Sequence, residues 1–193
     1  MKRDLLCKCH SSFLSCEKDT ELILKKLFID SHPHSEDLIR LLVINTKDCL
    51  DAKDSQVYKD VIKAMDLKTL REKGYIRLEP KIDFPEHEEV KSYLVISFDN
   101  FTTNGTNPQF RDCTVTFDII CHTDYWDLGN YRLRPLKIAG FIDGLLHNTK
   151  LTGIGTFQFM GCNELVLSDE LSGYSLMFAA IHGSDDNIPP SDV

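Results

Sequence analysis

Cysteine and histidine residues near the start of the sequence are the side chains most suited to binding a metal ion. Cys7, Cys9, His10 and Cys16 lie close together in the chain. A structural zinc site needs two pairs of closely spaced ligands, and no second pair follows this group. The spacing therefore predicts free thiols near the N-terminus and no metal site.

Other candidate ligands are no better placed. His32 and His34 fall in a break between predicted helices, and Cys121, His122 and Asp124 lie at the end of a predicted strand. On a strand, His122 and Asp124 share one face while Cys121 points to the other, so three ligands do not converge. These residues indicate a turn and a strand end, in preference to a metal site or a general base.

Two carboxylates, Asp112 and Asp118, lie on the same side of one predicted strand. At the rise of a β-strand they are roughly 20 Å apart, which is too far for a catalytic carboxylate pair. The sequence contains no nucleotide-binding or hydrolase motif, and Gly153-Ile154-Gly155 is too short a match to count. We therefore expect a protein that is not an enzyme and has no cofactor.

A group of aromatic and basic residues precedes a predicted helix. It comprises Tyr125, Trp126, Tyr131, Arg132 and Arg134. Cations are unfavourable at a helix N-terminus, which suggests that the two arginines face something acidic, such as a neighbouring copy of this protein. Trp126 is equally consistent with an aromatic corner that closes the core.

The strand that carries Asp112 and Asp118 is the clearest element in the sequence. From Arg111 to Cys121, apolar and polar residues alternate with a period of two, which predicts a strand with one face on a core and the other in water. A helix is predicted to begin near Pro135. Its apolar stripe consists of Ile138, Phe141, Ile142, Leu145 and Leu146.

Further strands complete the predicted sheet. They are expected at 75–78, 93–98, 156–162 and 174–182, with Asp169, Glu170 and Gly173 forming the last hairpin connection. The segment 99–108 is rich in Asn, Thr, Gly and Pro, and predicts a long loop that forms a hairpin arm. From residue 90 onward the order is β-β-α-β-β, which predicts an α+β fold with an antiparallel sheet and one covering helix.

The chain divides into three predicted regions. Residues 1–90 form a mainly helical N-terminal region, with helices expected near 21–28, 35–42 and 57–70. Residues 91–183 form the α+β sheet domain with its arm at 99–108, and residues 184–193 form a polar C-terminal tail.

Charge and targeting signals narrow the class of function. The 22 basic and 30 acidic residues give a net charge of −8, which argues against binding nucleic acid or an anionic membrane through a basic surface. An acidic wall would suit a channel through which DNA passes without sticking. No signal peptide or membrane-spanning segment is predicted, so we expect a cytosolic protein with reduced cysteines.

The order of these elements resembles that of the tail-terminator and tail-completion (neck) proteins of long-tailed bacteriophages. Three segments carry the resemblance: 110–120, 134–143 and the strand 173–178. It covers about residues 90–183. The likeness lies in element order and residue pattern, without an invariant motif.

The resemblance implies a structural virion protein that assembles as a ring, usually a hexamer, at the head-proximal end of the phage tail. There it would end the growth of the tail tube and join it to the neck. Its partners would be further copies of itself, the tail-tube protein, a neck or head-closure protein, and passing DNA without sequence-specific binding. No membrane partner is expected, and assembly would occur in the host cytoplasm.

The resemblance also implies roles for particular residues. The arm would reach a neighbouring subunit, and Asp112 and Asp118 would line or approach the DNA channel. Three other readings stay open: a head-closure or neck connector, a non-viral cytosolic adaptor without catalytic activity, and, with least support, a metal enzyme that uses His122, Asp124 and the cysteines near the N-terminus. The predicted subunit or partner interface consists of Phe101, Asn104, Asn107, Phe110, Trp126, Arg132 and Arg134.

Overall fold

The computed structural model describes residues 16–29, 32–52, 54–78, 91–106, 110–151 and 155–182. Cys7, Cys9, His10, Asn107 and the predicted tail at 184–193 lie outside these ranges. In chain order the elements are α1 (Cys16–Phe28), α2 (Pro33–Val43), α3 (Gln56–Lys63), α4 (Leu67–Glu72), β1 (Ile76–Arg77), β2 (Ser92–Thr103), β3 (Arg111–His122), a 3₁₀ turn (Thr123–Tyr125), α5 (Arg134–Leu146), β4 (Lys150–Leu151), β5 (Gly155–Thr156), β6 (Gln158–Val166) and β7 (Leu171–His182).

Five of the strands form one sheet, in the order β1-β2-β3-β7-β6. The α+β class and the helical N-terminal region are confirmed, but the sheet is mixed because β1 runs parallel to β2. All the other neighbours in this sheet are antiparallel. Parallel neighbours need a long crossover connection, and residues 78–91 provide that length.

The core lies between the sheet and α5. Alternation along β3 is confirmed, since Val115, Phe117 and Ile119 are fully buried. Ile138 and Ile142 on α5 are fully buried against the same cluster, which confirms the helix and its apolar stripe. Removing each such side chain from water contributes about 1.5–3 kcal/mol, so this layer supplies much of the driving force for folding.

The N-terminal helices share this core. Ile23 and Leu27 of α1 and Leu38 of α2 are fully buried and belong to the same apolar cluster as the sheet residues. The single helix predicted at 57–70 is two helices, α3 and α4. The break is set by Asp66, whose side-chain oxygen accepts the backbone N–H of Thr69 at 2.8 Å and caps the start of α4.

Two predicted connections differ from the structure. Strand β2 continues to Thr103, so the loop predicted at 99–108 is wrong for residues 99–103. A bulge between Asp99 and Thr102, with Asn100 at a φ of 54°, lets this polar stretch keep pairing with β3. Gly173 lies inside β7, not in the last hairpin connection, because that connection ends before Leu171.

Candidate functional site

The sheet face that points away from α5 is the first candidate surface, called here the polar face. It is formed by the even-numbered residues of β3 and by their register partners on β2 and β7. Asp99, Asp112 and Asp118 lie on it, beside the hydroxyl groups of Thr114 and Thr116. Strands β2, β3 and β7 place no Lys or Arg on this face, and Arg77 of β1 lies at its apolar end over the Tyr93 ring, so the part that carries Asp99 and Asp112 is negative.

One end of the polar face is apolar. Tyr93, Val95 and Ile120 are each 2 % exposed or less and form a second cluster, with apolar side chains of β6 and β7 packed against it. The prediction of a face fully in water is therefore wrong at this end. Asp118 pairs with Val95 and lies at the border between the apolar and acidic parts. The partly exposed Asp112 lies toward the other end.

Hydrogen bonds fix the base of the arm against the polar face. The Asn104 side chain donates to Asp112 at 2.7 Å and accepts the backbone N–H of Thr106 at 2.9 Å. The backbone N–H of Asn104 donates to the carbonyl of Phe110 at 3.2 Å. Phe101 packs against the main core. Asn104 and Phe101 are thus engaged within the subunit, and the described ends of the β2–β3 connection are held against the sheet.

The predicted role of Arg134 at a partner surface is wrong, because its side chain is fully buried. Its guanidinium donates to the carbonyls of Leu41 at 2.6 Å and Ile44 at 3.0 Å, which lie at the end of α2. It also donates to the carbonyls of Thr46 and Tyr125, both at 2.8 Å. The negative end of the α2 dipole therefore provides the negative environment that the sequence predicted from a neighbouring copy.

Arg132 also has a partner within the chain. Its Nη1 donates to Asp51 at 3.0 Å, and its Nη2 makes a second hydrogen bond to the same carboxylate. Lys47 pairs with Asp127 at 2.7 Å on the same side of the molecule. These pairs, with Arg134, join the α2–α3 connection to the chain before α5. We call this region the arginine junction.

The two ion pairs of the arginine junction predict a pH dependence of stability. Hydrogen bonding from Arg132 lowers the pKa of Asp51, and hydrogen bonding from Lys47 lowers the pKa of Asp127. A lowered folded-state pKa adds stability above the unfolded pKa of about 3.9, and this stability is lost as the pH falls through the folded pKa. Both carboxylates are exposed, so the effect should be small.

Melting curves of the wild type and of an Asp51→Asn, Asp127→Asn variant should therefore differ at pH 7 and converge as the solution is acidified. The measurement is the melting temperature by circular dichroism at a series of pH values. A difference that stays constant down to pH of about 2 would contradict the assignment, since it would not depend on the carboxylate charge.

Trp126 closes the core beside the arginine junction. Its indole N–H donates to the carbonyl of Cys121 at 3.3 Å, and its ring lies 6.2 Å from that of Tyr174. Of the two readings of Trp126, the structure favours the aromatic corner. Tyr131, by contrast, is fully exposed, with a φ of 61° in a turn that also contains left-handed Asn130 and Gly129.

The candidate ligands do not converge in the described part of the chain, where no three Cys, His, Asp or Glu side chains form a group that could hold a metal ion. His122 lies 3.6 Å from Asp124 and 3.9 Å from Glu170. His34 stacks on Phe141 at 4.7 Å. Burial raises the pKa of the Cys121 thiol to about 11, so this thiol is protonated at neutral pH.

The exposed edge formed by β6 was missed by the sequence reading. Phe159, Met160, Val166 and Leu167 are 46, 58, 75 and 46 % exposed. The sequence signal was present: Phe159 and Met160 lie in the strand predicted at 156–162, Val166 and Leu167 follow it, and Glu164 is the single charged residue from 151 to 168. What the sequence could not show is that β6 lies at the edge of the sheet.

A comparison with known protein families identifies a relationship that covers most of the fold. The profile of the YomW family matches residues 35–180, which is more than half of the chain and extends from α2 through β7. No curated protein matches the sequence. In the residues that the structure describes, no helix is long and apolar enough to cross a membrane. By the extent of the profile match, this chain belongs to the YomW family, which is phage-associated.

Proposed function

We propose that this protein is a structural, non-catalytic component of a phage virion. It assembles as a ring, usually of six copies in the family that it resembles, at the head-proximal end of the tail. There it ends the growth of the tail tube and joins the tube to the neck or head-closure protein. DNA passes through the ring without sequence-specific binding.

The acidic part of the polar face carries this proposal. Asp99, Asp112 and Asp118 form a negative surface to which β2, β3 and β7 add no Lys or Arg, while Arg77 of β1 lies two strands from Asp118 at the apolar end of the face. A wall of this charge repels the DNA phosphates, so the polymer is not retained as it moves past. Membership of a phage-associated family supplies the biological setting, and the fixed base of the arm suits contact with a neighbouring subunit.

Deleting the coding sequence from a phage that carries it tests the proposed role. Electron microscopy of the lysate should show tails longer than the wild-type length, because nothing stops the tube, and heads without attached tails. Tails of normal length beside full heads would indicate a head-closure or neck connector in its place. Unchanged, infectious particles would refute a virion role and favour the adaptor reading.

Charge reversal on the polar face should impair DNA passage. We expect Asp112→Lys with Asp118→Lys to lower the number of infectious particles by about ten-fold or more, because a positive wall attracts the DNA phosphates. Tails and joined particles should form in normal numbers. The measurement is the plaque titre per particle counted by electron microscopy.

A matched control separates this effect from the change in net charge. Asp54→Lys with Asp60→Lys alters the charge by the same amount at two exposed positions in and just before α3, and should leave the titre per particle unchanged. Asn104→Ala removes the donor to Asp112 but keeps the carboxylate, and shows whether loss of this hydrogen bond matters by itself. An unchanged titre in the double reversal would refute the channel role of this face.

A further inference from the structure

The two edges of the five-stranded sheet differ in length and exposure. Strand β1 has two residues, whereas β6 has nine, of which seven are exposed. Within the described chain, β6 pairs only with β7. Edge strands usually contain Lys or Pro that prevent pairing with another chain, and β6 contains neither. Its bulge between Phe159 and Gly161 leaves Cys162–Val166 as regular strand.

The β6 edge is both apolar and acidic. The stretch from residue 155 to residue 171 contains Glu164, Asp169 and Glu170 and no Lys or Arg. Val166 and Leu167 lie among these carboxylates and are 75 and 46 % exposed. We call these five residues the acidic edge. A partner for it must offer both positive charge and an apolar surface.

A surface with those two properties lies beside the opposite edge of the sheet. A cleft of about 840 Å³ between α4 and β1 is lined by the apolar side chains of Leu67, Ile76 and Leu78. Its basic residues are Lys68, Arg71 and Arg77, and Glu72 is its single acidic residue among the described ones. The next residue in the chain after Glu72 is the exposed Lys73. This basic cleft contrasts with the net charge of −8 on the whole chain.

Contacts within the subunit hold part of the basic cleft in place. The Nε of Arg77 donates to the carbonyl of Gly74 at 3.3 Å, and its guanidinium lies 5.0 Å from the centre of the Tyr93 ring. Arg71 and Lys68 project from the short helix α4, which Asp66 caps. The position of the Arg77 charge is therefore fixed by contacts within the subunit, whereas Lys68 and Arg71 are exposed on α4.

Both surfaces lie at the same level of the sheet. The pairing register connects Ile76 of β1 to Leu94, then to Ile119, then to Tyr174, and finally to Glu164 of β6. One row across the strands therefore has the basic cleft at one end and the acidic edge at the other. Repeating the subunit along this row brings the two surfaces together in a head-to-tail contact, which closes a ring when the rotation permits.

We propose that the acidic edge of one subunit binds the basic cleft of a second copy of this chain. Val166 and Leu167 contact the apolar lining, while Glu164 and Asp169 face the positive charges of Arg71 and Lys73. This inference rests on the proposed ring and names the two surfaces that form it. A second copy of this chain is the partner that fits, because the basic cleft and the acidic edge are complementary and lie at opposite ends of the same row of paired residues.

A charge swap tests the contact. Variant A carries Arg71→Glu and Lys73→Glu, and variant B carries Glu164→Lys and Asp169→Lys; all four residues are exposed, so both variants should fold. In sedimentation velocity at increasing concentration, each variant alone should self-associate at least about ten-fold more weakly than the wild type, because like charges meet at the contact. An equal mixture of A and B should regain wild-type association, since every contact is then complementary.

Net charge is controlled by changing exposed residues in and just before α3. Lys59→Glu with Lys63→Glu matches variant A, and Asp54→Lys with Asp60→Lys matches variant B; both controls should associate like the wild type. Wild-type association that persists in A and B would overturn the inference. So would a wild-type protein that stays monomeric up to about 1 mM, or an A and B mixture that does not associate.

The charge swap and the deletion phenotype fail separately. Rings that form regardless of the charge swap would leave the tail-terminator function standing and overturn only the two surfaces. Charge-dependent assembly together with normal tails in the deletion phage would support the surfaces and refute the function. Tail length and sedimentation therefore report on different claims.

Discussion

Arg134→Met is expected to lower the free energy of unfolding by about 4 kcal/mol, which is a large part of the usual total of about 5–15 kcal/mol. Arg134 is fully buried and donates to four backbone carbonyls. Methionine fills a similar volume but donates no hydrogen bond, so these buried acceptors lose a charged partner. Urea denaturation followed by the fluorescence of Trp126, the single tryptophan, measures the loss at this junction.

Two further variants test whether the loss of stability comes from the hydrogen bonds of Arg134 or from the loss of a positive charge in general. Arg134→Lys keeps the charge but lacks the planar fork, and it should recover only part of the stability. Lys47→Met removes a cation whose side chain is 69 % exposed at the same junction, and it should shift the urea midpoint little. Equal effects of Arg134→Met and Lys47→Met would contradict the assignment of Arg134 as the residue that joins α2 to α5.

Local patterns predicted the elements that fill the core. The period of two along β3 and the helical spacing of apolar residues on α5 both depend on neighbours in sequence, and the structure confirms both. The α+β class follows from the order of those elements. The polar stretch 99–103 failed as a loop because pairing with β3 outweighs its composition.

The partners of the candidate site residues could not be predicted in the same way. Arg134 was recognised as a cation in need of a negative partner, but its main partners lie 88 to 93 residues earlier in the chain. The parallel pairing of β1 with β2 also depends on how the chain crosses over. Residue type can indicate what a side chain requires, whereas only the tertiary fold decides where that requirement is met.

Gly173→Ala is expected to prevent folding or to destabilise the protein by more than about 4 kcal/mol. A Cβ atom on Gly173 would lie 1.7 Å from the carbonyl oxygen of Ile119 and 2.8 Å from its carbonyl carbon. Both contacts are with backbone in β3, so no side-chain rotation can relieve them. The two central strands would have to separate, and the ladder between β3 and β7 would be broken.

The soluble yield and the urea midpoint of the purified variant measure this effect, and a second glycine supplies the control. Gly161 lies in β6, where an added Cβ would meet only the Cε of Met177 at an ordinary 3.7 Å. We expect Gly161→Ala to change the free energy of unfolding by less than about 1 kcal/mol.

A Gly173→Ala protein with the wild-type midpoint would show that β3 and β7 do not approach as closely as described. Gly173 pairs with Ile120 in β3 and with Leu165 in β6, directly beside the row of paired residues that connects the basic cleft to the acidic edge. That result would therefore also weaken the evidence for this row. The stability of the Gly173→Ala variant therefore tests both the packing of β3 against β7 and the alignment of the two surfaces in the proposed assembly.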